Sequence, residues 1–507
     1  MNIYDAKQEI KNTLKIYLKK NEFGEYAISR VRQRPILLIG APGIGKTAIM
    51  SQIAKEADVG LVAYSITHHT RQSAIGLPFI TDRQYGDVCY KITEYTMSEI
   101  IASVYEAIER TGKKEGILFI DEINCASETL APTMLQFLQL KQFGQHKVPD
   151  GWVVVAAGNP PEYNKSVKEF DTVTLDRIKL VNVEADYKVW KKYAYEYHVH
   201  NAITSYLDIH ENNFYRVENT VDGKEIVTAR GWDDLSQVIT MYEELHLKVK
   251  KSLIQQYIQH KDVAAHFANY YELYNKYKQD YNIDDILAGI INITERDKLS
   301  AAPFDEKLSF INILLDKVAS IMYSSMRDEA ITEVLYQYLK QLKPIYLSNS
   351  YDYGTIVNYY NETESIVLKN IEKNILDKKD AQKYKSALAL LNEFITNANI
   401  AAGNNGSDAF NKTKEYFSER AEQEENHAKE INTALDNAFR FVSYAFGPDQ
   451  EMIIFVTELT YNYHCVQFLA EHPNTTYIKY NKELLFDQKE KGLMQDMNKL
   501  EEMVKDL

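Results

Sequence analysis

The octapeptide Gly40-Ala41-Pro42-Gly43-Ile44-Gly45-Lys46-Thr47 constrains this 507-residue chain more than any other stretch. It follows the apolar run Pro35 to Ile39 and precedes a helical pattern from Ala48 to Glu56. Glycines, lacking a Cβ, let successive backbone N–H groups turn toward one concave site. A helix that starts there aims its partly positive N-terminus at the same place. Lys46 adds a full charge, and the Thr47 hydroxyl suits a hard divalent cation. The order strand, glycine turn, Lys-Thr, helix predicts a phosphate cradle built from Gly40 through Ala48. The chain has only 20 glycines, so this cluster is no by-product of a glycine-rich composition.

A second signal is Ile117-Leu118-Phe119-Ile120-Asp121-Glu122, a buried-strand pattern that ends in two carboxylates. Ligands of parallel α/β sheets gather at the C-terminal ends of strands. The acids are therefore expected beside the cradle, on strands that are near neighbours. Asp121 is the candidate to hold Mg2+ with Thr47, and Glu122 the candidate to orient and polarise an attacking water. A capped strand end is the plainer reading of the acids taken alone. No Asn-Lys-x-Asp occurs, so a guanine-specific pocket of the common kind is unsupported. ATP with Mg2+ is the expected ligand and hydrolysis the expected reaction.

Apolar, β-branched runs recur at Ile36 to Ile39, Gly60 to Ile66, Ile117 to Ile120, Trp152 to Ala157 and Ile178 to Val183, with helical patterns between them. That alternation predicts an α/β core, a five-stranded parallel sheet with flanking helices, over residues 1–185. Beyond it the 3.6-residue period takes over. Residues 186–247 read as a helical lid, interrupted by a polar turn-rich stretch near Asn219 to Gly223. Residues 248–507 read as an α-helical C-terminal region, broken by the loop composition of Gly403 to Asp408. Lys412 to Lys429 is nearly all polar, the pattern of a solvated face. Met452 to Ala470 is the most apolar helical stretch near the end and reads as buried core.

Composition narrows the partners. A net charge of −14 argues against a nucleic-acid partner, which favours a basic face. Three scattered cysteines make no ligand spacing and read as reduced thiols. No apolar run approaches the roughly 20 residues a bilayer span needs, and Met1 to Lys20 is a charged amphipathic pattern, so a cytoplasmic protein without a membrane partner is expected.

Three further motifs join these two in order. Together the five resemble an AAA+ ATPase, of the MoxR-like branch, over about residues 30 to 245. Val153-Val154-Val155-Ala156-Ala157-Gly158-Asn159-Pro160 is similar to the strand that ends in the family's sensor asparagine. By that match Asn159 helps position the lytic water; a turn-forming Asn before Pro is the alternative. Thr174-Leu175-Asp176-Arg177-Ile178 resembles the Leu-Asp-Arg-Phe segment before the last core strand, with Ile178 in place of Phe. Arg177 is then the candidate finger that reaches a neighbouring subunit's nucleotide, an internal ion pair being the alternative. Thr228-Ala229-Arg230-Gly231-Trp232 resembles the lid's Ser-Pro-Arg, with Ala229 replacing the proline. Arg230 is then the lid arginine that senses the γ-phosphate, or else an ordinary helix-start residue.

Thr67 to Pro78 sits where MoxR-like proteins carry an insertion near a central pore; a metal on the neighbouring His68 and His69 is not expected, for want of a third ligand. The resemblance further implies a homo-oligomeric ring, a hexamer in type. It also implies a protein client that the ATPase remodels or activates, with von Willebrand factor A-type proteins as the usual partners. An ATP-dependent switch or scaffold that hydrolyses slowly is the competing reading.

Overall fold

The computed structural model describes all residues except 69–70, 164–169, 171, 221–222, 349–350, 374, 404 and 484–507. The chain divides into two compact units. The first comprises residues 1–190, 211–238 and 252–264; the second comprises 191–210, 239–251 and 265–507.

In the first unit the strands are β1 (Ile36–Gly40), β2 (Gly60–Ser65), β3 (Pro78–Tyr85), β4 (Val88–Tyr95), β5 (Gly116–Asp121), β6 (Gln142–Phe143), β7 (His146–Lys147), β8 (Trp152–Gly158), β9 (Lys179–Val183), β10 (Arg216–Thr220) and β11 (Gly223–Val227). Five of them form one sheet in the order β2-β5-β8-β1-β9, and every neighbouring pair is parallel. All five coincide with the apolar runs read from the sequence. Side chains alternate between faces along a strand, so a sheet covered on both sides needs apolar residues at every position. Ile36, Leu38, Phe119 and Val155 face one core with the helices Ile3–Tyr17 and Lys46–Glu56. Leu37, Leu118, Ile120 and Val154 face the other, with Glu99–Thr111 and Ala131–Leu140.

One expectation needs correcting. The strands β1 and β5, which carry the cradle and the acid pair, are not adjacent; β8 lies between them. Strand order in a parallel sheet follows how the crossovers pack, and no local pattern encodes it. The expected helical stretch 186–247 is also interrupted by more than a turn. Arg216–Thr220 and Gly223–Val227 pair antiparallel as a two-stranded ribbon between the helices Asn201–Ile209 and Ala229–Glu244. A second exposed ribbon, β3 with β4, follows the short helix Arg71–Ile75. His69 lies outside the described residues.

The second unit is helical. Its longest members are Phe304–Tyr346, of 43 residues, and Gly406–Phe446, of 41. They pack with Lys378–Ala402 around Leu335, Leu342, Tyr346, Leu391, Phe394 and Ile395. The polar stretch 412–429 is part of Gly406–Phe446. It carries the along-helix ion pairs Lys412–Glu415, Arg420–Glu424 and Lys429–Glu425, as a solvated face should. The apolar stretch near the end is two helices, Gln450–Tyr461 and Tyr463–Glu471. Asn462 separates them, and its side chain caps the second. Among the described residues no helix is long and apolar enough to cross a membrane.

Candidate nucleotide-binding site

Gly43 and Gly45 have φ of +76° and +94°, the left-handed region that side chains disfavour. Gly45 is the N-cap of Lys46–Glu56. The first backbone bond inside that helix runs from Ile49 N to Gly45 O. The N–H groups of Lys46, Thr47 and Ala48 thus lack intrahelical acceptors and form the positive end of the helix. Lys46 is buried, and its ammonium donates to Gly40 O (2.7 Å), Ala41 O (2.8 Å) and Asn159 Oδ1 (2.9 Å). Burial pushes its pKa down to about 8. The charge of Arg230 acts in the same direction, while Asp121 and Glu122 oppose it.

The Thr47 hydroxyl donates to Asp121 Oδ2 at 2.7 Å. A hydroxyl and a carboxylate oxygen so close form the hard oxygen donor set that suits Mg2+. Asp121 Oδ1 accepts from the Glu122 N–H at 2.9 Å. Glu122 itself has φ of +56°, an uncommon value for a residue with a side chain. Its carboxylate accepts from the Ser65 hydroxyl, at the end of the neighbouring strand β2, at 3.4 Å, and from the Thr67 hydroxyl, in the turn that follows, at 3.0 Å. Asn159 follows β8, between the cradle and the acids, so its amide bridges toward Lys46 although β1 and β5 do not touch.

Arg230 is joined to the cradle by its backbone, whose N–H donates to Gly43 O at 3.2 Å. Arg177 stands apart. It is exposed, and it donates to Gln139 Oε1 at 2.6 Å. Lys179 pairs with Ile36 at the start of β1, whereas the cradle leaves the end of β1 at Gly40. Arg177, just before β9, therefore lies toward the end of the strands opposite the cradle; Ile36 to Gly40 alone spans roughly 13 Å. The structure joins Gly40, Ala41, Gly43, Lys46, Thr47, Asp121, Glu122, Asn159 and Arg230 into one region and leaves Arg177 outside it.

Two supporting residues, Asn124 and Tyr215, escaped the sequence reading, as did the contact that Thr228 makes. Asn124 Nδ2 donates to Asn159 O at 2.7 Å. Its Oδ1 is buried and unpartnered, and a Cβ on Gly158 would come within 2.5 Å of it, so only glycine fits there. The Tyr215 hydroxyl donates to Pro42 O at 3.0 Å, and Thr228 packs against Gly43. Gly158 before Asn159 was the available signal for the first. Tyr215 had none, one tyrosine among 37.

Residues 36–173, roughly a quarter of the chain, match the family model "ATPase family associated with various cellular activities (AAA)". This region is similar to the AAA-type P-loop ATPase domain. The assignment supports nucleotide binding and ATP-dependent activity, and it covers the cradle, the acid pair and Asn159. Comparison with curated proteins returns no match.

Proposed function

We propose that the AAA domain hydrolyses ATP and that the chain uses the cycle to remodel or activate a protein partner, as MoxR-like ATPases do. The observation that carries the hydrolytic part is the pair of bonds Asn159–Lys46 and Thr47–Asp121, with Glu122 held beside them by the Ser65 and Thr67 hydroxyls. Residues Gly40 to Ala48 hold the phosphates with backbone N–H groups and the Lys46 ammonium. Thr47 and Asp121 hold a magnesium ion, which supplies charge neutralisation on the phosphates when bound. Glu122 accepts a proton from the attacking water, and Asn159 orients it. Arg230, carried on the expected lid 186–247, senses the γ-phosphate.

Arg177 lies toward the strand ends away from its own cradle, so in this reading its target is the nucleotide of a neighbouring copy. A closed ring, a hexamer by analogy, gives every copy such a neighbour. The second unit offers the surface for a client. The resemblance makes a von Willebrand factor A-type protein the first to try.

Glu122→Gln is the test. The variant should bind ATP with affinity within about threefold of wild type while turnover falls by at least about a hundredfold. Wild-type turnover in the variant would remove Glu122 from the mechanism. The competing reading, a slow switch or scaffold, is separated by the partner that co-purifies with this variant in ATP. Its addition should strongly stimulate wild-type turnover if the chain is a remodeller.

A further inference from the structure

A cavity of about 290 Å3 lies wholly within the second unit, walled by the segments 194–205, 240–243, 274–278, 312–323 and 458–464. Its wall is polar and acidic. Glu243, Asp316 and Glu458 line it, and Lys278 is the one ammonium among the lining residues. Glu458 accepts from Lys191 (2.7 Å) and from the Tyr195 hydroxyl (2.6 Å), and Lys191 also pairs with Asp208 (2.8 Å). Glu243 is held ionised by His200, at 3.2 Å, and lies 4.0 Å from Lys278. Among the lining residues three carboxyls face one ammonium, Lys278, while the Lys379 ammonium acts on His198 and His464 from outside the lining. Burial pushes the Asp316 carboxyl up, against the opposing pull of His200, Lys278 and a hydrogen bond with Asn201.

A second observation is independent of the acids. Asn312 Nδ2 is buried without a hydrogen-bond partner, on a lining residue only 7% exposed. An unpaired buried donor such as the Asn312 amide costs stability. A polar ligand in the cavity removes that cost. His464 is stacked face to face on His198, ring centres 4.6 Å apart and planes 3° apart, with Tyr323 at 4.5 Å. Burial drops both imidazoles to about 4, so at neutral pH they add no charge.

We propose that this cavity binds a small organic cation, an amine or guanidinium compound that also carries a carbonyl or hydroxyl oxygen. The cationic end meets Asp316 and Glu243, and the oxygen accepts from Asn312. The volume falls at the small end of ligand pockets, about 300–1,000 Å3, and fits a molecule of amino-acid size. The proposal is independent of the nucleotide site.

Calorimetric titration of the full chain with argininamide tests it. Argininamide should bind saturably at one site. Putrescine, which lacks the oxygen, should bind more weakly, and succinate should not bind. Asp316→Asn, which keeps the shape, should weaken argininamide at least about tenfold. Ser320→Trp at the exposed rim should block binding with the helical signal intact, which guards against a misfolded variant. Absence of saturable binding overturns the proposal. So does equal binding of succinate, or an affinity that neither substitution changes.

Discussion

Lys46 spends all three of its N–H bonds inside the protein, on two loop carbonyls and on Asn159. A buried ammonium loses hydration, and Arg230 adds repulsion, which is why its pKa falls to about 8. Below that pH Lys46 carries the charge that attracts a triphosphate; above it the charge is lost. The value of kcat/KM for ATP, which reports the free enzyme, should therefore fall as pH rises through about 8. In Arg230→Gln one cause of the depression is gone, so the midpoint should move to higher pH. A pH–rate profile with an unchanged midpoint would show that Arg230 does not act on Lys46. The sequence made Lys46 and Arg230 recognisable one by one. Their mutual influence depends on the approach of the segment around Thr228 to Gly43, which no local spacing encodes.

At the scale of elements, β8 is the bridge between two motifs that the sequence expects side by side. Its register against β1 and β5 carries Asn159 to the Lys46 ammonium, and Asn124 fastens the strand end from the short helical turn after β5. Gly158→Ala would drive a Cβ into Asn124 and loosen Asn159. Overpacking of this kind costs about 1–3 kcal/mol, so the melting temperature should drop. Turnover should fall about tenfold while ATP affinity changes less than about threefold, because the phosphate contacts from the cradle remain. Nucleotide titration and steady-state turnover check this; equal losses in both would point to general unfolding. The five strands were legible because burial on both faces forces continuous apolar runs. The ribbons β3–β4 and β10–β11 were not, because their exposed residues show no such pattern.

For the whole molecule, Arg177, toward the strand ends opposite the cradle, makes a prediction about assembly. Arg177→Ala should lose turnover, and so should Glu122→Gln. Mixed subunits of the two should regain activity, since one supplies the arginine and the other the carboxylate. A mixture no more active than the sum of its parts would place Arg177 outside a shared site. In the second unit, burial lowers His198 and His464 to about 4, while an unfolded histidine titrates near 6.5. Between those values the unfolded chain holds more protons, so stability should be lost as pH falls from about 6.5 toward 4. His464→Gln should make that decline shallower, followed by the helical signal during denaturant unfolding.

The sequence by itself determined the chemistry of the cradle, the acid pair and the strands that carry them. Those properties are local: a glycine's freedom, a charge beside a hydroxyl, and an apolar run that must be buried. Tertiary structure alone decided that β8 separates cradle from acids, that Tyr215 and Thr228 meet the cradle loop while Asn124 holds Asn159, and that Arg177 bonds Gln139 toward the other end of the strands. It also gathered residues spread from 194 to 464 around one acidic cavity. Such arrangements depend on which surfaces pack together across long sequence separations, and burial rewards many pairings alike until the whole chain selects one.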